Sequence, residues 1–504
     1  MAAPSRPQPD PAPAFVLTRT LLLRLLALVY LVAFLVFAHQ GRALVGHAGL
    51  LPADQFLDRI RDGARSTRAA VLALPTLFWL DVSDRTLAVA AWTGVALSAC
   101  ALAGATNALL QLTLWALYLS FVQIGQLFYG YGWETQLCET GFLAIFLCPV
   151  RSVSPFGPAP PVAVLWLYRW LIARIMLGAG LIKLRGDPCW RDLTCLVYHY
   201  ETQPVPNPLS WWLHARPRWF HVLGVTFNHV VELGTPPLVL GPRRARLVGG
   251  LLCILFQATL IASGNLSFLN WLTIVPALAC LDDRALGRLV PARVRAHAAA
   301  APAPSHVARG VALALALLVG ALSLQPVRNL LSPRQAMNRS FDPLFLVNTY
   351  GAFGSVGRER FEVILEGTRD ATIGPDTTWE PYEFPCKPGD VARRPCTISP
   401  YHYRLDWQLW FAAMSVADRE PWLIHLVAKL LDADPAVRRL LARDPFGDTP
   451  PRWIRADLYR YTFTRPGDGS PDWWRRTWVR TYLRPIARDD PALRRYLTAR
   501  WGED

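Results

Sequence analysis

Apolar residues in this chain fall in long unbroken runs rather than at the spacing of a half-buried helix or strand. They cover residues 21–38, 87–104, 108–127, 137–150, 162–182, 220–240, 247–262, 266–280 and 309–325. Such runs read as helices with lipid as their solvent, because a hydrocarbon core of ~30 Å needs about 20 helical residues. The first run follows Arg19, contains Arg24, lacks a small-residue cleavage site and keeps Leu, Val and Phe to its end. It predicts an uncleaved anchor with its N-terminus in the cytoplasm. The run 137–150 is short for a crossing. Counting it gives about nine crossings. That count places Arg243, Arg244 and Arg246, and then Arg284, Arg288, Arg293 and Arg295, in the cytoplasm, as the positive-inside rule wants. The basic segment 59–68 falls on the other side and speaks against it. Residues 52–71 set Phe56, Leu57 and Ile60 against Asp58, Arg61 and Asp62, an interfacial amphipathic helix started by Pro52.

From Gln325 the pattern changes. Phe361, Val363 and Leu365 alternate with Glu362, Ile364 and Glu366, a strand ended by Gly367. Residues 376–400 read as loops or short strands, 405–416 and 421–432 as helices, 455–464 and 473–485 as strands, and 490–501 as a last helix. The expected fold is a polytopic α-helical membrane protein with a C-terminal extracytoplasmic α+β domain. Its expected parts are a disordered Pro/Ala-rich tail (1–14), a bundle (15–325) with an exported loop (183–218), and the exported domain (326–504).

Composition sharpens this picture. Hydrophobic residues make up 52% of 504, and the net charge is +15. The arginines sit at the ends of apolar runs and in the C-terminal third, and no nucleic-acid motif is present, so the charge speaks for orientation and headgroups rather than for DNA or RNA. The expected partner surface is the lipid bilayer. All but three of the 52 basic residues are arginine, a bias that suggests GC-rich coding and a bacterial inner membrane. The lysines, Lys183, Lys387 and Lys429, therefore stand out. Nine cysteines leave at least one thiol unpaired. Cys189 and Cys195 share one outer loop and Cys386 and Cys396 another, which predicts two local disulfides. Their spacing is not that of a metal site, and neither a metal nor a cofactor is expected. Cys138, beside Glu134 and Glu139, reads as a half-buried free thiol near the outer mouth.

Ionisable groups inside apolar runs are costly and face a bundle interior or a cavity. The run 162–182 carries Arg169 and Arg174, and the run 220–240 carries His221, Asn228, His229 and Glu232 before Pro236 and Pro237 interrupt it. Asn228 lies four and His229 three positions before Glu232, so they share a helical face with it. An interhelical hydrogen-bond network, a proton-handling or ligand site, and a metal site are the three readings of this group. The loop after Ile182 is the densest polar segment: Lys183, Asp187, Trp190, Asp192, His199, Tyr200 and Glu201, closed by prolines and Trp211 and Trp212. Lys183 ends an apolar helix with Asp187 and Asp192 close in sequence as ion-pair partners. Lys183, His229 and Glu232 are the candidate catalytic groups. Arg174, Asp187, Trp190, Asp192, His199, Tyr200, Glu201, Asn228 and Glu134 are the candidate binding residues. Trp379, Tyr382, Phe384, Tyr401, Tyr403 and Trp407 are candidates for a client-binding surface or for the exported domain's core.

The segment LGAGLIKLRGDPCWRDLTCLVYHYETQPVPNPLSWWLH from Leu177 resembles the lipase maturation factor family. YGWETQLCETGFLAIFL from Tyr131, NTYGAFGSVGRERFEVILEGT from Asn348 and PYHYRLDWQLWFAAM from Pro400 extend the likeness over roughly residues 40–480. The resemblance implies a multi-pass membrane protein that helps secreted lipases fold and assemble, with a lipase or other exported protein as client. More distantly, Ala179-Gly180, Lys183-Leu184 and Trp190 resemble the vitamin K-dependent carboxylase-like membrane superfamily, in which the matching lysine is thought to act as a base. That likeness implies a second reading, an enzyme acting on a lipid, quinone or peptide. The sequence leaves open whether any reaction is catalysed.

Overall fold

The computed structural model describes residues 15–502. The tail 1–14 expected to be disordered lies outside them. Each apolar run forms a helix: α1 (Val16–Val45), α2 (Asp84–Ala103), α3 (Ala108–Ile124), α4 (Gly132–Ile145), α5 (Val162–Arg185), α6 (Arg218–Val239), α7 (Arg243–Ser263), α8 (Leu269–Leu278) and α9 (His306–Leu322). Polar residues flanking these runs supply their ends. Ser83, Asn107 and Ser305 accept hydrogen bonds from the first turns of α2, α3 and α9. Gly104, at φ +109°, closes α2 in the left-handed conformation that glycine tolerates. Among the described residues five stretches are long and apolar enough to span a bilayer: α1, α2, α5, α7 and α9 together with its continuation to Leu331. The chain is therefore a polytopic helical membrane protein. Helix α4 has 14 residues and so a length near 21 Å at 1.5 Å per residue, short of the core thickness.

Opposite ends of the bundle gather different parts of the chain. At one end Asp283 accepts from the backbone N–H groups of Val16, Leu17 and Thr18, Arg19 reaches the carbonyls of Pro155 and Pro158, and Arg243 pairs with Asp282. At the other end lie the loop after α5 and the C-terminal region. Two expectations about the helices need correcting. The prolines at 236 and 237 do not interrupt α6, which runs on to Val239; they remove the N–H groups that would serve the carbonyls of Glu232 and Leu233, but so near the helix end that almost no helix follows them. The amphipathic stretch 52–71 is two helices, Ala53–Gly63 and Thr67–Ala73, the second started by Ser66 accepting from Ala69 N–H.

The C-terminal region holds one antiparallel sheet in the order β2-β1-β3-β4, formed by β1 (Arg360–Thr368), β2 (Glu380–Pro381), β3 (Trp453–Phe463) and β4 (Trp474–Ala487). Helices Arg404–Ala412, Pro421–Leu431 and Pro491–Trp501 accompany it. The alternation along β1 does not divide core from solvent, since Val363, Leu365, Glu362 and Ile364 are all buried. Glu362 tolerates this because Arg360 and Lys387 pair with it. Tyr382, Phe384 and Trp407 lie in the core, and Tyr401 bonds Gln40 of α1. Packing therefore takes up much of the aromatic set considered for a client surface. Large apolar side chains left exposed in this region include Phe411, Met414, Val416, Trp478 and Val479.

Candidate functional site

Helices α5 and α6 approach closely where Gly180 faces Glu232 and Leu233. A Cβ on Gly180 would stand 2.6 Å from Leu233 and 3.1 Å from the Glu232 Cβ. This approach brings Lys183, one turn further along α5, into an ion pair with Glu232, and both side chains are 4% exposed. Lys183 Nζ also donates to Asn228 Oδ1 at 3.2 Å, and Asn228 Nδ2 donates to the other Glu232 oxygen at 2.9 Å. The three groups thus form a closed, neutral triad: one cation, one anion and the amide between them. The helical spacing of Asn228 and Glu232 places both in the triad, whereas Lys183 pairs with neither Asp187 nor Asp192. Asp187 instead accepts from the N–H groups of Cys189 and Val356 and pairs with Arg358 at 2.8 Å. Asp192 is exposed. Both lie beyond the end of α5, where Asp187 caps the next short turn, Pro188–Arg191.

Trp190 covers the triad. Its ring centre is 5.0 Å from Lys183 Nζ, its indole donates to Phe353 O at 2.8 Å, and its carbonyl accepts from His229 Nε2 at 3.0 Å. His229 therefore braces the loop rather than joining the carboxylate three residues away. The disulfide Cys189–Cys195, with Cα atoms 4.8 Å apart, closes the turn that carries Trp190, and Cys386–Cys396 closes a second turn in the C-terminal region. His199, on the short helix Cys195–Thr202, stands edge-on to Phe353 at 4.8 Å. Burial, and then the nearby Lys183 ammonium, push its pKa down to about 4, so the ring is neutral at pH 7. Its nitrogens meet no hydrogen-bond partner among the described residues.

Two cavities meet at this point. One of about 690 Å³ lies between α5, α6, α7 and α8, with Lys183, Asn228, Glu232 and Tyr200 in its wall. The other, of about 850 Å³, lies under the C-terminal region against Trp407, Trp410, Phe411 and Met414. His199, Phe353, Ala179 and Leu266 line both.

The remaining candidates belong to other clusters. Arg174 pairs with Glu139, whose second oxygen accepts from Tyr350 Oη at 2.6 Å and from the Asn348 N–H at 3.0 Å. Glu134 pairs with Arg404 at 2.8 Å and accepts from the Tyr118 hydroxyl. Glu201 accepts from the Phe463 N–H of β3 at 2.7 Å, and burial raises its pKa above the ordinary value against the pull of that bond and of Arg360. These three acids tie the membrane helices and the outer loop to the C-terminal region. Sequence reading missed Glu139, Asn348, Tyr350 and Arg404 as members of this framework. The available signal was a carboxylate at 139 inside an apolar run, which demands a buried cation. Cys138, expected to be half-buried, is fully enclosed. Among the described residues no group of three or more His, Cys, Asp or Glu side chains could hold a metal ion.

Comparison with known proteins gives a consistent result over the whole chain. Residues 17–288 match the lipase maturation factor transmembrane domain, and residues 346–484 match the lipase maturation factor C-terminal domain. Lipase maturation factor 1 of Bos taurus is 51% identical over 98% of this chain and 93% of its own length. Lipase maturation factor 1 of Homo sapiens is 50% identical over 96% and 90%. Lipase maturation factor 2 of Homo sapiens is 31% identical over 95% and 84%. No solved structure matches.

Proposed function

Because this chain belongs to the lipase maturation factor family, we propose that it is a membrane-anchored maturation factor that assists the folding or assembly of secreted lipases. The observation that carries the reading is identity near 50% to lipase maturation factor 1 running through the membrane helices and the C-terminal region together. Whatever the relatives do with both parts, this chain retains both. Secreted lipases fold in an oxidising compartment, and two disulfides on the side of the C-terminal region fit that setting. We assign nine crossings, a cytoplasmic N-terminus and an extracytoplasmic α+β domain over 326–504. Clustering of the N-terminus of α1, Arg243 and Asp283 at the end remote from the C-terminal region supports that topology. The bilayer would be a bacterial inner membrane if the arginine bias reflects origin.

The test is complementation. The full chain is expressed in cells that lack their own lipase maturation factor and carry a secreted lipase. Recovery of secreted lipase activity, with the lipase co-purifying from membranes, is expected; folded protein in the membrane without recovery would reject the reading. Reporter fusions decide the topology. One that works only when exported should be active after residue 504, and one that works only in the cytoplasm should be active at Arg288. The opposite pattern at either position would overturn the nine-crossing assignment.

A further inference from the structure

The cavity of about 690 Å³ beside the triad is lined in part by exposed apolar side chains, which mark where it opens. Leu209, Trp219 and Leu223 line it and are exposed, with Leu223 59% accessible. Val230 of α6 and Leu251 and Leu255 of α7 are also exposed along the same two helices. In a bundle whose outer faces are apolar, such a mouth opens onto acyl chains, not water. The volume is that of a site for a small amphiphile. Its inner end is built differently. Lys183 is 4% exposed, yet two of its three N–H donors are engaged, by Glu232 and Asn228, so one remains for a ligand acceptor. His199 offers a donor and an acceptor from the adjoining wall.

The charge of this inner end selects the head. Lys183 and Glu232 cancel, so a carboxylate or phosphate entering the cavity would lose water and gain no net countercharge. An uncharged carbonyl or hydroxyl needs only the free donor and the imidazole. We propose that this cavity is a binding site, entered from the bilayer, for a single-chain lipid with an uncharged ester head of the monoacylglycerol type. The acyl chain lies between α6 and α7, and the ester carbonyl accepts from Lys183. The site stands independently of the lipase-maturation reading, since it rests on the cavity and the triad alone.

The experiment uses the full chain in phospholipid nanodiscs and a monoacylglycerol with a diazirine midway along its chain. The fatty acid of the same chain, ionised at pH 8, is the comparison. Photolabelling of Leu223, Phe227, Phe256 and Leu260 by the ester at least tenfold above the acid is expected. Thr259→Trp, at an exposed position on the cavity wall, should plug the mouth and remove at least nine-tenths of that label. Glu232→Gln, which leaves Lys183 as an uncompensated cation, should reverse the preference toward the fatty acid. Equal labelling by ester and acid, label unaffected by Thr259→Trp, or an unchanged preference in Glu232→Gln would each overturn the proposal. Should Glu232→Gln fail to fold, the headgroup comparison and the Thr259→Trp arm decide it.

Discussion

Replacing Lys183 by Met removes the cation from a carboxylate that is almost wholly buried. Glu232 would then keep only the amide of Asn228, bonded at 2.9 Å, inside an apolar wall. Breaking one side of a buried ion pair costs about 3–5 kcal/mol, because the partner stays charged without compensation. At roughly 2 °C per kcal/mol for a large chain, Lys183→Met should lower Tm by about 6–10 °C. Glu232→Gln should cost a similar amount through the stranded ammonium. The double variant removes both charges and should regain most of the loss, so it should cost less than either single variant and far less than their sum in a double-mutant cycle. Lys183→Arg keeps the charge but must fit a larger planar group between α5 and α6, so it should fall between wild type and Lys183→Met. Thermal unfolding of nanodisc-embedded protein, followed by tryptophan fluorescence, measures all four. Additive single-variant effects would refute the triad, as would a Lys183→Met cost below about 1 kcal/mol, the range of solvated pairs.

Other predictions follow from the same framework. Cys189, Cys195, Cys386 and Cys396 should resist alkylation until reductant is added. Loops of this size are worth about 2–3 kcal/mol each in the chain-entropy model, so reduction should loosen the two turns without dissolving the bundle, and intact-mass mapping checks it. Arg404→Met strands the fully buried Glu134. It should cost about 3–5 kcal/mol and speed proteolytic release of the C-terminal region, whereas an unchanged rate would mean that pair is not what ties the two parts. Burial pushes the pKa of His199 and of His214 down to about 4, so their contribution is present above pH 6.5 and lost as pH falls toward 4. Burial raises that of Asp406 to about 6, which acts with the opposite sign, its contribution being present in acid and lost as pH rises through 6. The expectation is a loss of stability on the acid side that is smaller in His199→Gln/His214→Gln, read from Tm against pH.

The helices of the bundle were legible because lipid imposes a one-dimensional rule: a long apolar run has to become a helix that satisfies its own backbone. Strands β1, β3 and β4 and helices Arg404–Ala412, Pro421–Leu431 and Pro491–Trp501 were legible within a few residues from periodicity and punctuation. So were the two disulfides, since each joins cysteines 6 or 10 positions apart, a separation the local chain bridges by itself. The same-face grouping of Asn228 with Glu232 followed from the helical repeat.

Tertiary structure alone decided where the charges went. Lys183 and Glu232 are 49 positions apart, Arg174 and Glu139 are 35, and Arg404 and Glu134 are 270. Sequence proximity suggests Asp187 and Asp192 for Lys183, yet Asp187 is taken up by Arg358 and by the Cys189 and Val356 N–H groups and Asp192 is exposed, while Gly180 lets α6 bring Glu232 in. A charge in a low-dielectric interior must find an opposite charge, and sequence can state that requirement. Which charge answers it depends on helix packing and on the docking of the C-terminal region, distances that no local pattern along the chain encodes.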